Sequence, residues 1–121
     1  MNLFTKKLQK CMESLALDYK IETRIKSPQR IREKMDAKGF VNDYVGGRVI
    51  YDGNRHDAYI ISKNIVDEFD IFYMRDYILR PKKNNYQSIH LIGEFLDFPM
   101  EIQIRNKEMD YIAKKGSAKI R

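Results

Sequence analysis

Apolar residues near the start of the chain recur three or four positions apart, and further along they alternate strictly with charged ones. The first pattern, over residues 3–17, predicts an amphipathic helix. The second pattern, over residues 19–26, predicts a strand with one charged face, because successive side chains of a strand point to opposite sides. Ser27 and Pro28 then favour the start of a helix that Gly39 ends.

The same two patterns continue through the rest of the chain. They predict strand 44–51, helix 55–68, strand 70–75, strands 87–95 and 100–105, and helix 107–115, with residues 116–121 frayed. The order α-β-α-β-α-β-β-β-α predicts the α/β class in its α+β form, with a mixed, largely antiparallel sheet flanked by helices. Gly46 and Gly47 weaken the strand pattern, which predicts either a bulge or the close approach of another group.

Leu96–Pro99 has turn chemistry, so we expect the last two strands to form an antiparallel hairpin. Alternation places the apolar side chains of this hairpin on the core face: Ile89, Leu91, Phe95, Met100, Ile102 and Ile104. The opposite, polar face carries Ser88, His90, Glu101, Gln103 and Arg105. Taken alone, such alternation is typical of an ordinary solvated face.

Composition and charge indicate which class of protein this is and which kind of ligand it favours. The 121 residues predict one domain, residues 1–121, and the net charge of +6 favours anionic ligands. No stretch is as long and apolar as a membrane span, and the first residues lack an apolar signal core, so we expect a cytoplasmic protein with no membrane association. The single cysteine, Cys11, falls on the apolar side of the first helix and is expected in the core.

The segment from Asp76 to His90 combines the side chains of a polyphosphate site. It supplies cations, a flat aromatic ring for stacking and several hydrogen-bonding groups: Arg80, Lys82, Lys83, Tyr86, Asn84, Gln87, Ser88 and His90. Glu101 adds a carboxylate from the second strand of the hairpin. Arg24 and Lys26 stand just before a predicted helix start, where the helix dipole adds to their positive charge.

Four segments in order resemble motifs of the synthetase domain of the RelA/SpoT family of alarmone synthetases. Arg24–Lys34 is similar to the family's Arg-x-Lys-Ser-x-x-Ser-Ile-x-x-Lys, and Asp43–Arg48 is similar to Asp-Ile-x-Gly-x-Arg. Asp76–His90 resembles Asp-Tyr-Ile-x-x-Pro-Lys-x-Asn-Gly-Tyr-x-Ser-x-His, and Glu101–Asn106 resembles Glu-Ile-Gln-Ile-Arg-Thr. Asn85 replaces the family's glycine, a mild change because asparagine tolerates the left-handed conformation. The resemblance implies a nucleotidyltransferase-like synthetase fold.

The resemblance also implies a function, namely transfer of the β,γ-pyrophosphate of ATP to the 3′-hydroxyl of GDP or GTP, which releases AMP and makes (p)ppGpp. It implies that Asp43 and Glu101 hold Mg²⁺ and that Glu101 helps to deprotonate the hydroxyl. The residues implied to bind ATP are Arg24, Lys26, Lys34 and Arg48. Those implied to bind the acceptor nucleotide are Lys82, Asn84, Tyr86, His90, Gln103 and Arg105, with Tyr86 stacked on the base.

Two other functions stay open on the sequence. One is a toxic small synthetase that modifies the 3′ end of tRNA or an adenine nucleotide, favoured by lysines near both ends of the chain. The other is a catalytically inactive nucleotide-binding module. A homo-oligomer and an antitoxin partner also stay open. His56 and Asp57 resemble part of the metal site of the family's hydrolase domain, but residues 54–57 stand at a predicted helix start, where Asp is a common cap or first-turn residue.

Overall fold

The computed structural model describes residues 2–25 and 45–120, without the side chains of Ile25 and of residues 117–120. Three of the predicted site residues, Lys26, Lys34 and Asp43, lie outside the described residues, as does the helix predicted after Pro28.

The described residues form three helices and one five-stranded sheet. The helices are α1 (Leu3–Met12), α2 (Arg55–Glu68) and α3 (Lys107–Ile120). The strands are β1 (Tyr19–Ile25), β2 (Val45–Tyr51), β3 (Asp70–Asp76), β4 (Ile89–Phe95) and β5 (Phe98–Asn106). They are arranged β1-β2-β5-β4-β3, and every neighbouring pair is antiparallel except β2 with β5. The predicted fold class, a mixed and largely antiparallel sheet flanked by helices, is confirmed.

Two helices end where the sequence pattern did not predict. α1 ends at Met12, where the backbone N–H of Glu13 caps it by donating to the carbonyl of Gln9, so the predicted helix 3–17 was too long. α3 continues to Ile120, so the predicted fraying after residue 115 was wrong. A glycine inside a helix costs only about 1 kcal/mol. At Gly116 the missing side chain also makes room, because a Cβ there would lie 3.1 Å from Nδ2 of Asn84.

The hairpin of β4 and β5 has a tighter turn than predicted. Leu96 and Asp97 both adopt positive φ, 50° and 69°, which matches the two-residue turn that suits the twist of antiparallel strands. Phe98 and Pro99 therefore belong to β5 rather than to the turn. The predicted core face is confirmed, since Ile89, Leu91, Met100, Ile102 and Ile104 are all buried.

The two adjacent glycines of β2 have different surroundings. A Cβ on Gly47 would lie 2.9 Å from both the Phe4 ring and a methyl group of Leu8, so its absence lets α1 pack directly on the sheet. This confirms the predicted close approach, whereas the alternative of a bulge is wrong, because β2 pairs with β1 and β5 in continuous register. Gly46 points to the opposite face, where a Cβ would meet only the carbonyl of Arg24 at 3.8 Å.

Two further predictions hold in the structure. Asn54 and Asp57 form a reciprocal capping box at the start of α2, each side chain accepting a hydrogen bond from the other's backbone N–H. Cys11 is buried, and burial together with the charge of Glu68 raises the pKa of its thiol to about 11. Within the described ranges, no helix is long and apolar enough to cross a membrane.

Candidate active site

A row of polar residues crosses the sheet on the face opposite α1 and α2. The strand registers place one residue from each strand side by side: Glu22, Arg48, Gln103, His90 and Arg75. Of these, sequence reasoning selected Arg48, Gln103 and His90. Glu22 could have been found as well, because it alternates with Arg24 along β1.

Hydrogen bonds run along this row and reach Glu101. Arg48 donates from its terminal nitrogen to Glu22 Oε1 at 2.7 Å and from Nε to Gln103 Oε1 at 3.4 Å. Gln103 in turn donates through Nε2 to Glu101 Oε1 at 2.9 Å. Burial alone would raise the pKa of Glu22, but hydrogen bonds from Arg48 and Lys20 hold it below its usual value. Through its bond from Gln103 on the same strand, one carboxylate oxygen of Glu101 is thus held in place.

The other oxygen of Glu101 faces a buried histidine. Its Oε2 lies 4.0 Å from Nδ1 of His90, and the Nε2 of that ring lies 2.7 Å from the hydroxyl of Tyr86. Burial, reinforced by the positive charges of Lys82, Arg105 and Arg75, lowers the pKa of His90 to about 4. The ring is therefore neutral near neutral pH. The Tyr86 hydroxyl accepts a hydrogen bond from Arg105 at 3.2 Å, so its own O–H is left to donate a hydrogen bond to His90 Nε2. In that arrangement the ring proton of the neutral His90 lies on Nδ1, facing Glu101.

A cavity of about 300 Å³ opens beside Glu101. Its lining comes from β1, β2 and β5: Glu22, Thr23, Arg24, Gly46, Gly47, Arg48, Glu101 and Gln103. Gly46 lies between Arg24 and Glu101 in the strand register and has no side chain, which leaves the space open. The structure thus brings Arg24 and Arg48, both predicted to bind ATP, to one cavity with the predicted catalytic carboxylate.

The predicted acceptor residues lie on the other side of Glu101, around Tyr86. The Tyr86 ring contacts the rings of Tyr77 and His90 edge-on, and Lys82 Nζ lies 4.6 Å from the Tyr77 ring centroid and 5.5 Å from that of Tyr86. Burial raises the pKa of the Tyr86 hydroxyl, although the charge of Arg105 opposes the change. Sequence reasoning missed Tyr77, although it follows Asp76 within the motif.

The loop that carries Lys82 is shaped by Asn85. Asn85 has a positive φ of 64°, as its replacement of glycine predicted, and its backbone N–H donates to the carbonyl of Lys82 at 2.9 Å. Asn84 lies against Gly116 of α3. The predicted acceptor set is therefore centred on Tyr86, with Asn84 at its edge.

The expectation that the polar face is solvated is wrong at one end. Ser88, His90 and Arg105 are buried, and Arg105 is only 3% exposed. α3 covers this end, because Asp110 binds the guanidinium of Arg105 at 2.9 Å and Lys114 binds Asp110 at 3.0 Å. Asp110 and Lys114 are four residues apart in the predicted helix, a spacing typical of an ion pair, but the contact of Asp110 with Arg105 depends on the direction in which α3 leaves β5.

The predicted magnesium site can be tested only on its described half. Among the described residues no three His, Cys, Asp or Glu side chains are grouped as a metal site would require, and Asp43 is not among those residues. Glu101 is part-buried at the cavity and offers one carboxylate. Magnesium in nucleotide sites is commonly bound by one or two carboxylates, waters and substrate phosphates, so Glu101 fits such a site without a larger cluster.

Comparison with known proteins gives consistent matches to one family. Residues 23–120 match the family model described as a region found in RelA / SpoT proteins. The chain is 32% identical, over 95% of its length, to a probable guanosine-3′,5′-bis(diphosphate) 3′-pyrophosphohydrolase of Mycoplasma pneumoniae. It is 34% identical, over 92% of its length, to the GTP pyrophosphokinase rsh of Brucella melitensis. It spans only 16% of the length of each of these relatives.

Solved structures give the same result at the level of the fold. The small alarmone synthetase 2 of Bacillus subtilis superimposes with a TM-score of 0.70 at 27% identity, and the match covers 95% of this chain and 71% of that one. The five-stranded sheet and its flanking helices are therefore the synthetase fold that the motifs implied.

Proposed function

The chain belongs to the RelA/SpoT family, and from this membership we propose that it is a pyrophosphokinase that transfers the β,γ-pyrophosphate of ATP to the 3′-hydroxyl of GDP or GTP, making (p)ppGpp. One observation carries the proposal. Glu101 lies between a cavity lined by two arginines on one side and the Tyr86–His90 pair on the other. A carboxylate in that position can act on a hydroxyl brought between a phosphate donor and a stacked base.

The donor nucleotide is proposed to bind in the cavity. Arg24 and Arg48 supply guanidinium groups, which bind phosphate oxygens in pairs and can stack on an adenine ring. Gly46 leaves the space between them open for the phosphates. Lys26 and Lys34 are proposed as further ATP-binding cations on the basis of the motif alone.

The acceptor nucleotide is proposed to bind across Tyr86. Its ring offers a flat surface to a guanine base, and the Lys82 ammonium lies close enough to pair with a phosphate of the same nucleotide. Asn84, His90, Gln103 and Arg105 complete the proposed acceptor side. This arrangement would direct the ribose of the acceptor toward Glu101.

The transfer itself needs positioning and charge compensation rather than a covalent intermediate. The 3′-oxygen of the acceptor attacks the β-phosphorus of ATP, the bond from that phosphorus to the oxygen shared with the α-phosphorus breaks, and AMP leaves with that oxygen. Glu101 Oε2 is the proposed acceptor of the hydroxyl proton, because Oε1 already accepts from Gln103. His90, neutral and held by Tyr86, keeps a polar N–H near Oε2 without adding a second base.

Asp43 and Glu101 are the proposed ligands of Mg²⁺, which when bound would offset the negative charge that develops between the phosphates. The chain connectivity supports this pairing. Asp43 precedes Val45 by two residues, and Val45 pairs with Met100, the neighbour of Glu101. We do not propose the hydrolysis named in some relatives, because Asp57 of the sequence pair His56–Asp57 serves in the capping box at the start of α2.

A labelled-transfer assay tests the proposal. The protein is incubated with γ-labelled ATP and Mg²⁺, and GDP, GTP, AMP, ADP, ATP or tRNA is offered separately. We expect label on guanosine nucleotides. Label on tRNA or on an adenine nucleotide would instead identify the toxic type of synthetase, and no transfer to any acceptor would identify an inactive nucleotide-binding module.

Glu101→Gln gives the residue-level test. The amide can still accept from Gln103 but cannot take a proton, so transfer should fall by about 10²- to 10⁴-fold. Glu94→Gln is the matched control, because Glu94 is an exposed carboxylate on the same hairpin. Equal activity of the two variants would refute the role assigned to Glu101.

A further inference from the structure

Arg105 is a buried cation with one carboxylate partner among the described residues. Its side chain is 4% exposed, and Asp110 Oδ1 accepts from both Nε, at 3.0 Å, and the second terminal nitrogen, at 2.9 Å. A buried charge is costly unless it is paired and hydrogen-bonded. Asp110 therefore balances the charge of Arg105 and occupies two of its three nitrogens.

The remaining nitrogen of Arg105 points toward the acceptor side. It donates to the Tyr86 hydroxyl at 3.2 Å and to Gln103 Oε1 at 3.3 Å. Because a guanidinium is planar and rigid, fixing two nitrogens determines the direction of the third. By holding Arg105, the carboxylate of Asp110 thus sets the position of the Tyr86 hydroxyl, which in turn is hydrogen-bonded to His90.

Lys114 holds the other oxygen of Asp110. Its Nζ lies 3.0 Å from Asp110 Oδ2 and 3.9 Å from Glu22 Oε2. Burial alone would raise the pKa of Asp110, but hydrogen bonds from Lys114 and Arg105 hold it below its usual value, so the carboxylate stays charged. Since Glu22 also binds Arg48, α3 is linked to both sides of Glu101.

We propose that Asp110, supported by Lys114, is a positioning residue for the acceptor nucleotide: it directs the third nitrogen of Arg105 toward Tyr86 and so fixes the ring on which the acceptor base stacks. The inference rests on the proposed function for the identity of the ligand, but the positioning itself is a property of the free protein. Asp110 does not contact Glu101, and its link to Tyr86 passes through Arg105.

A purely structural role is the competing explanation, since Asp110 also neutralises a buried charge. The two roles differ in what they change. A structural role lowers stability and affects both nucleotides alike. A positioning role weakens the acceptor more than the donor, because Arg105 contacts Tyr86 directly, whereas Arg48 is linked to Asp110 through intervening side chains.

The kinetic experiment compares Asp110→Asn with wild type, measuring KM for GDP and for ATP separately and stability by urea unfolding. We expect the KM for GDP to rise about tenfold, as for the loss of one charge-assisted hydrogen bond, while the KM for ATP stays within about twofold. Asp110→Glu, which keeps the charge, should restore part of the GDP affinity. A parallel rise in both KM values would overturn the proposal.

Lys114 supplies a second variant in case Asp110→Asn does not fold. Its side chain is 52% exposed, so Lys114→Met should preserve the fold and raise the KM for GDP about threefold. Lys115→Gln is the matched control, because Lys115 lies beside Lys114 on α3, and the ring that it contacts is that of Tyr111. An unchanged KM for GDP in Lys114→Met would count against the proposal.

A spectroscopic readout separates failure of this proposal from failure of the proposed function. The chain has two histidines, so the imidazole nitrogen signals of His90 can be assigned by comparison with a His56→Gln variant. We expect free wild-type protein to hold the proton of His90 on Nδ1, and Asp110→Asn to populate both tautomers as Tyr86 loosens. If the enzyme transfers no pyrophosphate, the proposed function fails, while an unchanged His90 tautomer in Asp110→Asn would sink the positioning role.

Discussion

Acidification from about pH 7 to pH 5 should destabilise this protein through His90. Burial, together with the charges of Lys82, Arg105 and Arg75, lowers the pKa of His90 from 6.5 to about 4 in the folded state. Between those values the unfolded chain binds a proton that the folded chain does not, so falling pH favours the unfolded state. The protein therefore keeps its full stability with respect to His90 above the pKa of the unfolded state. It loses that stability as the pH falls from this value toward the pKa of the folded state.

The size of the effect follows from the two pKa values. Integrating the linkage relation for this single group gives a loss of about 2 kcal/mol in the free energy of unfolding between about pH 7 and pH 5. The full shift corresponds to about 3 kcal/mol. The low pKa values of Asp110 and Glu22 have the same sign, but their contributions are lost only below the ordinary carboxylate pKa values of 3.8 and 4.5.

Urea unfolding at several pH values in that window measures the prediction. Wild type should lose stability steadily on acidification, and His90→Gln should show a much flatter pH dependence whatever its absolute stability. His56→Gln controls for removal of a histidine from the exposed start of α2. A wild-type free energy of unfolding that is constant from about pH 7 to pH 5 would refute the burial argument for His90.

Three other variants probe the two glycines of β2 and the ion pair of Arg48 beside the cavity. Gly46→Ala should leave the stability nearly unchanged but raise the KM for ATP, since its Cβ enters the cavity. Gly47→Ala should lower the free energy of unfolding measured in urea by about 1–3 kcal/mol, because its Cβ collides with Phe4 and Leu8. The reverse result would contradict the assigned faces. Glu22→Gln should release Arg48 and lower the KM for ATP by up to about fivefold, in keeping with a part-exposed ion pair; an unchanged KM would show that Glu22 does not compete with the donor.

Local chemistry made much of the fold and site predictable. Alternation in the hairpin separated the apolar face from the residues that do surround the site, because strand periodicity depends only on neighbours two positions apart. Asn85 predicted its own left-handed turn, and Asp57 predicted a cap at the start of α2, since both depend on side chains within three residues. The order of four short motifs predicted the family.

The sequence alone determined which segments would be helix or strand and which side chains would share a face, because these properties arise from contacts within a few residues along the chain. The tertiary structure alone decided that Gly46 opens a cavity while Gly47 receives α1, because strand alternation separates their faces but does not say what packs on each. It also decided that Asp110 meets Arg105 in a buried pair and that β2 lies parallel to β5. Such contacts depend on how whole helices and strands pack against one another, because the residues that meet are distant in sequence or belong to different elements.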